Sequence, residues 1–511
     1  MSINESTSIE CFSTHFSIST MFMFCGKSWL TGRLKFRDCG KLYRDFCCER
    51  VKADLAIVGV GPAGLFGSFR AVENGFKNIV VIDKYPTMGG NCISYGCIPT
   101  KCLLKCSHTY HLMKKGFFAL QGIVTSEPKL DLDQMMRTKA KVMKDLSDYM
   151  QNAFKAKGIR IIRGKATICG CNQLSVDGND GKNSVVESDI ILLATGSTFR
   201  PLPGVVIDEK RIVSSNGAMI LQEVPKRMTV IGAGIIGLEM GSIWSDLGSE
   251  VTIISHDNSI VGPTLDRDIK KKYLKILQEQ GLNFMFETKV VCASNCDNCV
   301  RYQTADKDGK NNKELECDVL MVAIGRMPYT EGLCLERAGI ETNKGGFIPI
   351  NRHYQTCNPN FYAVGDITPG PMTAHKAIED GILVMDILNG KDVHIDFDHI
   401  PLAIYTHPEV ACVGKNEDQL KKEGHPYRVS WSTFDTCARA RTDLNKTGYI
   451  KALICTYTDR ILGTHIIGAQ AGEIINEVTV AQQYGLTAEN LARVVHAHPT
   501  YAKMLKTTFL H

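Results

Sequence analysis

An α/β fold carrying two Rossmann-like units is predicted by one pattern met twice and by a length that a single core cannot serve. A short apolar strand, a Gly-x-Gly-x-x-Gly turn, a helical pattern and a second strand run from Asp54 to Asp83, and the same order returns from Met228 to Ser255. A chain of 511 residues divides into three or four domains. Its composition, 44% hydrophobic and 22% charged, is that of an ordinary globular protein. A net charge of +5 over this length, without a lysine- or arginine-rich block, gives no reason to expect a nucleic acid partner. No apolar run reaches the roughly 18 residues of a membrane span.

Residues 1–52 precede the first strand and differ in character. They hold several Ser and Thr, few acids before Asp38, and basic residues from Lys27 to Arg50 after the apolar patch Met21 to Cys25. This reads as an organelle-targeting extension, for the mitochondrial matrix or, as a two-part signal, for a plastid. The plainer reading is a disordered tail.

In the first unit, the strand Asp54 to Val58 leads into Gly59-Val60-Gly61-Pro62-Ala63-Gly64. Gly59 makes the tight turn, Gly61 lets a pyrophosphate approach, and Gly64 packs helix on strand. Asp83 closes the strand Ile79 to Ile82, 24 residues after Gly59, where an acid would bind an adenosine ribose.

Just beyond lies Gly89-Gly90-Asn91-Cys92-Ile93-Ser94-Tyr95-Gly96-Cys97-Ile98-Pro99-Thr100-Lys101. Cysteines five apart on an unbroken helix would have Cα atoms roughly 8.6 Å apart, whereas a disulfide needs less than about 7 Å. Gly96 and Pro99 are expected to supply the irregularity. A bent, reducible disulfide beside a bound cofactor is a plausible electron relay.

The second unit repeats the construction with Met228 to Ile231, Gly232-Ala233-Gly234-Ile235-Ile236-Gly237, a helix through Leu247 and the strand Val251 to Ile254. Two fingerprints in the same strand-turn-helix setting imply two dinucleotides, a nicotinamide and a flavin. Ile190 to Ala194, reaching Thr195-Gly196-Ser197, and Leu320 to Ile324, reaching Gly325-Arg326, read as strands at passages between nucleotide domains. Phe361 to Asp366 reads as a strand ending in an acid suited to a ribityl or ribose hydroxyl.

Twenty cysteines in so long a chain do not resemble a disulfide scaffold. Most are expected to be reduced. Cys292, Cys296 and Cys299 lack the fourth ligand of a structural zinc site, so the segment reads as an inserted hairpin with spare thiols and no metal.

Taken together, these motifs resemble the flavin-dependent disulfide oxidoreductases, most closely their lipoyl branch. The resemblance runs from about Asp54 to about Leu505 and is carried by Gly89 to Leu104, by Ile260 to Asp266, by Ile400-Pro401-Leu402-Ala403-Ile404-Tyr405-Thr406-His407-Pro408-Glu409-Val410-Ala411, and by Ala492 to Thr500. It implies an FAD-binding domain at 53–196, an NAD-binding domain at 197–322, a central domain at 323–396 that completes the FAD site, and a C-terminal α+β dimerisation domain at 397–511. It also implies a homodimer whose active site is shared between subunits, and a lipoylated protein of a 2-oxoacid dehydrogenase or glycine cleavage complex as partner.

The activity implied is oxidation of dihydrolipoamide to lipoamide with reduction of NAD+ through FAD. Cys92 is then the sulfur attacked, Cys97 the thiolate lying against the flavin, and His498 the base that makes the attacking thiolate, because only a thiolate attacks a disulfide. His496 is the competing base. Lys101 and Glu239 match an ion pair near the flavin ring. The resemblance extends cofactor contacts to Lys84, Ala166, Thr195, Gly196, Ser197, Gly325, Asp366 and the loop Met372, Thr373, Ala374 and His375, with His375 positional. A helix start at Cys97 would lower its pKa.

Two positions depart from the family pattern. Where the family places a glutamate five residues after the catalytic histidine, this chain has Lys503, and no Asp or Glu follows Glu489. A lysine cannot orient the imidazole as an acceptor, and its charge opposes protonation of His498, so dithiol oxidation is expected to be impaired. At the end of the second strand of the NAD domain, where an acid would repel a phosphorylated ribose, stands Ser255. NAD+ is expected with weak discrimination against NADP+. The alternatives are an NADPH-dependent glutathione-type reductase and a catalytically weak FAD-binding paralogue with a structural role.

Overall fold

The strand Leu55–Val58 is buried at every position, which is what a parallel strand covered on both faces requires. It pairs in parallel with Ile79–Asp83 on one side and Ile191–Leu193 on the other. The computed structural model describes residues 49–124 and 126–510. The targeting extension expected over 1–52 lies, up to residue 48, outside the described residues, and its upper bound is corrected: Glu49–Ala53 is already a strand of the first sheet.

Eight strands form the first sheet, in the order Glu49–Ala53, Asn183–Ser188, Gln173–Gly178, Arg160–Gly170, Ile79–Asp83, Leu55–Val58, Ile191–Leu193 and Phe361–Ala363. The last of these arrives from 170 residues away in sequence and extends the parallel ladder beside Ile191–Leu193. It ends at Ala363 rather than running on to an acid, and Asp366 lies in the tight turn Gly365–Ile367. The helix Ala374–Leu388 then crosses the helix Pro62–Glu73 at a glycine contact, where a Cβ on Gly381 would stand 2.2 Å from the Ala63 carbonyl oxygen. Residues 323–396 therefore share the core of the first sheet through Leu333, Leu335, Ile348 and Phe361.

The second sheet holds five strands in the order Asn283–Met285, Glu250–Ile254, Arg227–Ile231, Val319–Val322 and Ile212–Val213, all parallel. Ser197–Phe199 and Arg326–Pro328 form a two-stranded antiparallel ribbon at the passages between the two sheets. Beside the second sheet, Thr288–Asn295, Val300–Asp306 and Lys313–Cys317 make an antiparallel meander. At its first turn the expectation of spare thiols is corrected. Cys296 and Cys299 are joined by a disulfide, because the four-residue turn brings their Cα atoms to 5.1 Å, inside the range a disulfide spans.

The C-terminal part is an antiparallel sheet of Leu402–Ile404, Glu409–Gly414, Ile461–Gly468, Tyr449–Cys455 and Tyr427–Thr433, packed against the helices Ala471–Gln483 and Lys503–Phe509 through Ile474, Val478, Leu505 and Phe509. Lys451, fully buried, ties this sheet to the helix Arg267–Glu279. Its ammonium lies 2.7 Å from Asp266, the N-cap of that helix, and 2.8 Å from Asp268. No described helix is long and apolar enough to cross a membrane.

Candidate active site

Both glycine turns are closed on one side and open on the other. A Cβ on Gly59 would stand 2.4 Å from the Ala194 carbonyl oxygen, and one on Gly232 would stand 2.4 Å from that of Ala323. Both residues have positive φ, 102° and 112°, a region that glycine enters without penalty. Gly64 and Gly237 sit where a Cβ would meet the carbonyl oxygens of Gly59 and Gly232 at 1.9 and 2.0 Å, so each permits its helix to start against its strand. Gly61 and Gly234, by contrast, have nothing within 4 Å of a Cβ. Each is the N-cap of the following helix, Pro62–Glu73 or Ile235–Leu247. The two helix starts open into one cavity of about 1410 Å³. Backbone donors at a helix start favour phosphate.

The site residues singled out from the sequence line this cavity, with the exception of Gly64 and Gly237, which face their own strands, and of His496 and His498. At the first turn, the carboxylate of Asp83 accepts hydrogen bonds from the Val60 and Tyr85 backbone nitrogens at 2.7 and 2.8 Å, and burial pushes its pKa up. The Lys84 ammonium donates to Tyr329 Oη at 2.7 Å, and Thr195 Oγ1 donates to the Tyr329 carbonyl at 2.6 Å. At the second turn, Ser255 is buried, and its hydroxyl accepts from the Asp257 nitrogen at 3.2 Å. Thr373 caps the helix that begins at Ala374, and His375 beside it has its pKa lowered by burial.

The cysteine pair lies where a helix breaks. The short helix Gly90–Ser94 ends at Tyr95, Gly96 adopts φ −136° and ψ −115°, and a new helix, Cys97–Lys114, starts at Cys97 itself. A Cβ on Gly96 would stand 2.8 Å from the Asn91 carbonyl oxygen. Gly96 thus supplies the irregularity, but Pro99 does not. It is the third residue of the new helix, where its missing N–H leaves no intrahelical bond unmade.

Cys92 and Cys97 stand as free thiols. A hydrogen bond from the Cys92 thiol, with help from the charge of Lys101, brings Cys97 down to about 7 against the opposing effect of burial. Cys92 moves strongly the other way, because the proton it donates to Cys97 is held and because it is buried. One proton shared by two sulfurs produces both shifts. Lys101 lies 3.0 and 2.9 Å from the two carboxylate oxygens of Glu239. Glu239 in turn accepts from the Tyr405 backbone nitrogen at 2.9 Å.

Three residues at this site stand in runs the sequence singles out but were given no part there. The Arg326 guanidinium donates to Ser197 Oγ and to the Ser197 carbonyl, both at 2.7 Å, and lies within electrostatic reach of Asp366 and Cys97. Asn91 donates to the same carbonyl. The Tyr405 ring stands under Lys101, whose ammonium is 4.6 Å from the ring centroid. Arg326 follows Gly325 directly, and a cation at that strand end was the available signal.

His498 lies in the exposed segment between the helices Ala488–Arg493 and Lys503–Phe509. Lys503 Nζ is 3.2 Å from His498 Nδ1. The carboxylate at this segment faces the neighbour of His498 instead. Glu477 Oε1 lies 2.8 Å from His496 Nε2, and His496 Nδ1 lies 3.1 Å from the Val494 carbonyl oxygen. Both ring nitrogens of His496 are engaged within the chain.

Comparison with known proteins agrees with this geometry. Residues 53–381 match the pyridine nucleotide-disulphide oxidoreductase family, and residues 400–509 match the dimerisation domain of the same family. The chain is 43% identical over 464 residues to the mitochondrial dihydrolipoyl dehydrogenases of Homo sapiens and Sus scrofa, covering 91% of each chain. Among solved structures, LpdA from Mycobacterium tuberculosis superposes with a TM-score of 0.82 at 23% identity, covering 90% of this chain and 99% of its own, and shows the shared fold. The HOCl-induced flavoprotein disulfide reductase RclA from Escherichia coli, as a Cu(II) complex, superposes with a TM-score of 0.79 at 27% identity over the same shares. The open faces of Gly61 and Gly234 on a cavity that also reaches Cys97 fit the two cofactors of that family, FAD and NAD(H). The chain belongs to the pyridine nucleotide-disulphide oxidoreductases, as an FAD- and NAD(H)-using enzyme of disulfide chemistry.

Proposed function

We propose that the chain oxidises dihydrolipoamide, carried on a lipoylated protein of a 2-oxoacid dehydrogenase or glycine cleavage complex, to lipoamide with NAD+ as final acceptor. The observation that carries the reading is the Cys92 and Cys97 pair, which lines the same cavity as both glycine turns and divides one proton unequally between its sulfurs. FAD, when bound, supplies the passage of an electron pair between a thiolate and a nicotinamide.

The chain's own residues do the rest. Cys92 takes the substrate sulfur into a mixed disulfide, and Cys97 leaves as the thiolate that the Cys92 hydrogen bond favours. Gly59, Gly61, Gly64, Asp83 and Lys84 hold the adenosine end of FAD. Gly232, Gly234, Gly237 and Ser255 hold that of NAD+. Lys101, fixed by Glu239, keeps a positive charge beside the thiolate. In a homodimer, the partner subunit's His498 approaches the thiols, and this agrees with its exposure in a single chain. The likeness to mitochondrial enzymes supports a mitochondrial matrix location.

Lys503 slows the dithiol step, because it stands where an orienting carboxylate would act. Turnover of dihydrolipoamide with NAD+, beside glutathione disulfide with NADPH, tests the assignment. Faster turnover in the second assay would replace it with a glutathione-type reductase. Lys503→Glu is expected to raise dihydrolipoamide turnover.

A further inference from the structure

The His498 ring has one hydrogen-bond partner among the described residues, and that partner is Lys503 at 3.2 Å from Nδ1. A lysine side chain is an ammonium near neutral pH, with three donors and no acceptor. Nδ1 therefore accepts. A neutral imidazole carries one N–H and one lone pair, and the bond made by one nitrogen fixes the state of the other. The neutral His498 ring then holds its proton on Nε2, the nitrogen left free to face a sulfur. A ring in that tautomer donates and cannot take a proton. The comparable inversion of the histidine in a serine-protease triad costs about four orders of magnitude.

The charged groups around this segment do not reverse the assignment. Glu477, from the helix Ala471–Gln483, is held by His496. Lys506, on the same helix as Lys503, donates to the carbonyl oxygens of Ala492 and Val494. Glu489 is bound by Arg493.

From this we infer that Lys503 is a positioning residue that makes His498 a hydrogen-bond donor to sulfur, so that the chain accepts its dithiol already ionised and favours dithiols of low thiol pKa. The inference rests on the dithiol-oxidising reading above. Its chemistry closes without an external base. The substrate thiolate attacks Cys92, the bond between Cys92 and Cys97 breaks, and its electron pair leaves on Cys97. The second substrate sulfur gives up its proton and attacks the first substrate sulfur, releasing Cys92, which takes that proton up. The products are a cyclic disulfide, a Cys92 thiol and a Cys97 thiolate. That is the proton distribution the reduced pair favours. The Nε2–H of His498 stabilises each sulfur while it is anionic.

The test is kcat/KM for a series of dithiols of graded thiol pKa, each measured against pH with the flavin-loaded full-length enzyme and NAD+. NADH oxidation by ferricyanide reports whether each protein is folded and loaded. With the natural chain at a pH below every thiol pKa, kcat/KM should fall about threefold per unit of thiol pKa. The thiolate fraction falls tenfold per unit, and the gain in nucleophilicity, with a Brønsted coefficient of about 0.4–0.5, returns part of that. The acid limb of each profile should move with the substrate's own pKa. Lys503→Glu should flatten the dependence and give all dithiols one common limb, and Lys503→Gln, whose amide oxygen can accept from Nδ1, should move the same way. A common limb in the natural chain, profiles unchanged in both variants, or no turnover of any dithiol while ferricyanide is reduced would overturn the inference. Tracking of thiol pKa without a preference for dihydrolipoamide would support it while removing the substrate assignment.

Discussion

Lys101 Nζ sits between the two carboxylate oxygens of Glu239, at 3.0 and 2.9 Å, and this contact joins the helix that begins at Cys97 to the helix that begins at the second glycine turn. Glu239 is almost wholly buried, whereas Lys101 is a third exposed. The acid depends on the lysine more than the lysine depends on the acid. The Tyr405 backbone nitrogen supplies the other donor to Glu239 and brings the C-terminal sheet to the same point.

Lys101→Met should therefore destabilise the protein strongly. It strips a buried carboxylate of its counter-charge, a change that costs about 3–5 kcal/mol when a buried pair is broken from one side. Glu239→Gln leaves a neutral amide that still accepts from Tyr405 and should cost less. Chemical denaturation of the flavin-loaded variants ranks the two, and equal losses would show that the charge of Glu239 is not what Lys101 serves.

The Cys97 thiol is held at about 7 by the Cys92 proton and by the charge of Lys101. In the reduced protein, the ultraviolet thiolate absorbance should rise with a midpoint near neutral pH. Cys97→Ser should abolish that transition. Cys92→Ser still offers a hydroxyl donor and should retain it, and any variant that removes the Lys101 charge should shift it to higher pH. A transition that survives Cys97→Ser would place the thiolate on Cys92.

Both nucleotide units were legible in the sequence because each is a local pattern. Strand, turn and helix lie within some thirty residues, and the geometry of Gly59 and Gly232 follows from chain neighbours and one crossing strand. The redox pair was legible for the same reason, although Pro99 was assigned a part that Gly96 alone performs. Contacts made across the chain were not legible. Arg326 reaches Ser197 from 129 positions away, and Tyr405 reaches Glu239 from 166. Neither residue type is distinctive alone, and only the folded sheets bring them to one place. The Cys296 and Cys299 disulfide was misread because sequence spacing does not say whether a turn brings two Cα atoms together.

Ser255 directly follows the strand Glu250–Ile254 of the second nucleotide unit. Its small hydroxyl lines the cavity, as do Asp257 and Lys289, and position 255 itself carries no carboxylate to repel a 2′-phosphate. NADP+ should be accepted with only modest loss of kcat/KM relative to NAD+. Ser255→Glu should then lower kcat/KM for NADP+ by at least about fivefold, since one like charge close to a phosphate costs ~1–4 kcal/mol, and should leave NAD+ little changed. A natural chain that rejects NADP+ as strongly as Ser255→Glu does would show that another group makes the choice.

Asp246 gives the last test, on stability. It stands beside two histidines of the helix Cys97–Lys114, with His111 Nδ1 at 3.3 Å and His108 Nδ1 at 3.9 Å, and the His108 ring stacks on that of His407 at 3.6 Å. The distances suit ion pairs, but the titration directions do not. Burial pushes Asp246 up to about 7 and pulls His108 down to about 3 and His407 to about 4. Each group is shifted toward its neutral form, so below about pH 7 the contact is between uncharged partners, and above it an ionised Asp246 faces neutral histidines. In the unfolded chain, Asp246 ionises near its ordinary value of 3.8. The folded protein thus retains a proton that the unfolded chain gives up, and the stability tied to it is lost as pH rises from about 4 to about 7. The histidines act in the opposite sense, because the unfolded chain binds protons below its ordinary imidazole pKa that the folded protein refuses, and stability falls as pH drops through that range. Asp246→Asn should raise Tm by several degrees at pH 8, by less at pH 5, and should leave the acid-side fall in place. A lowered Tm at pH 8 would instead mean that the ionised Asp246 is paired with a protonated histidine.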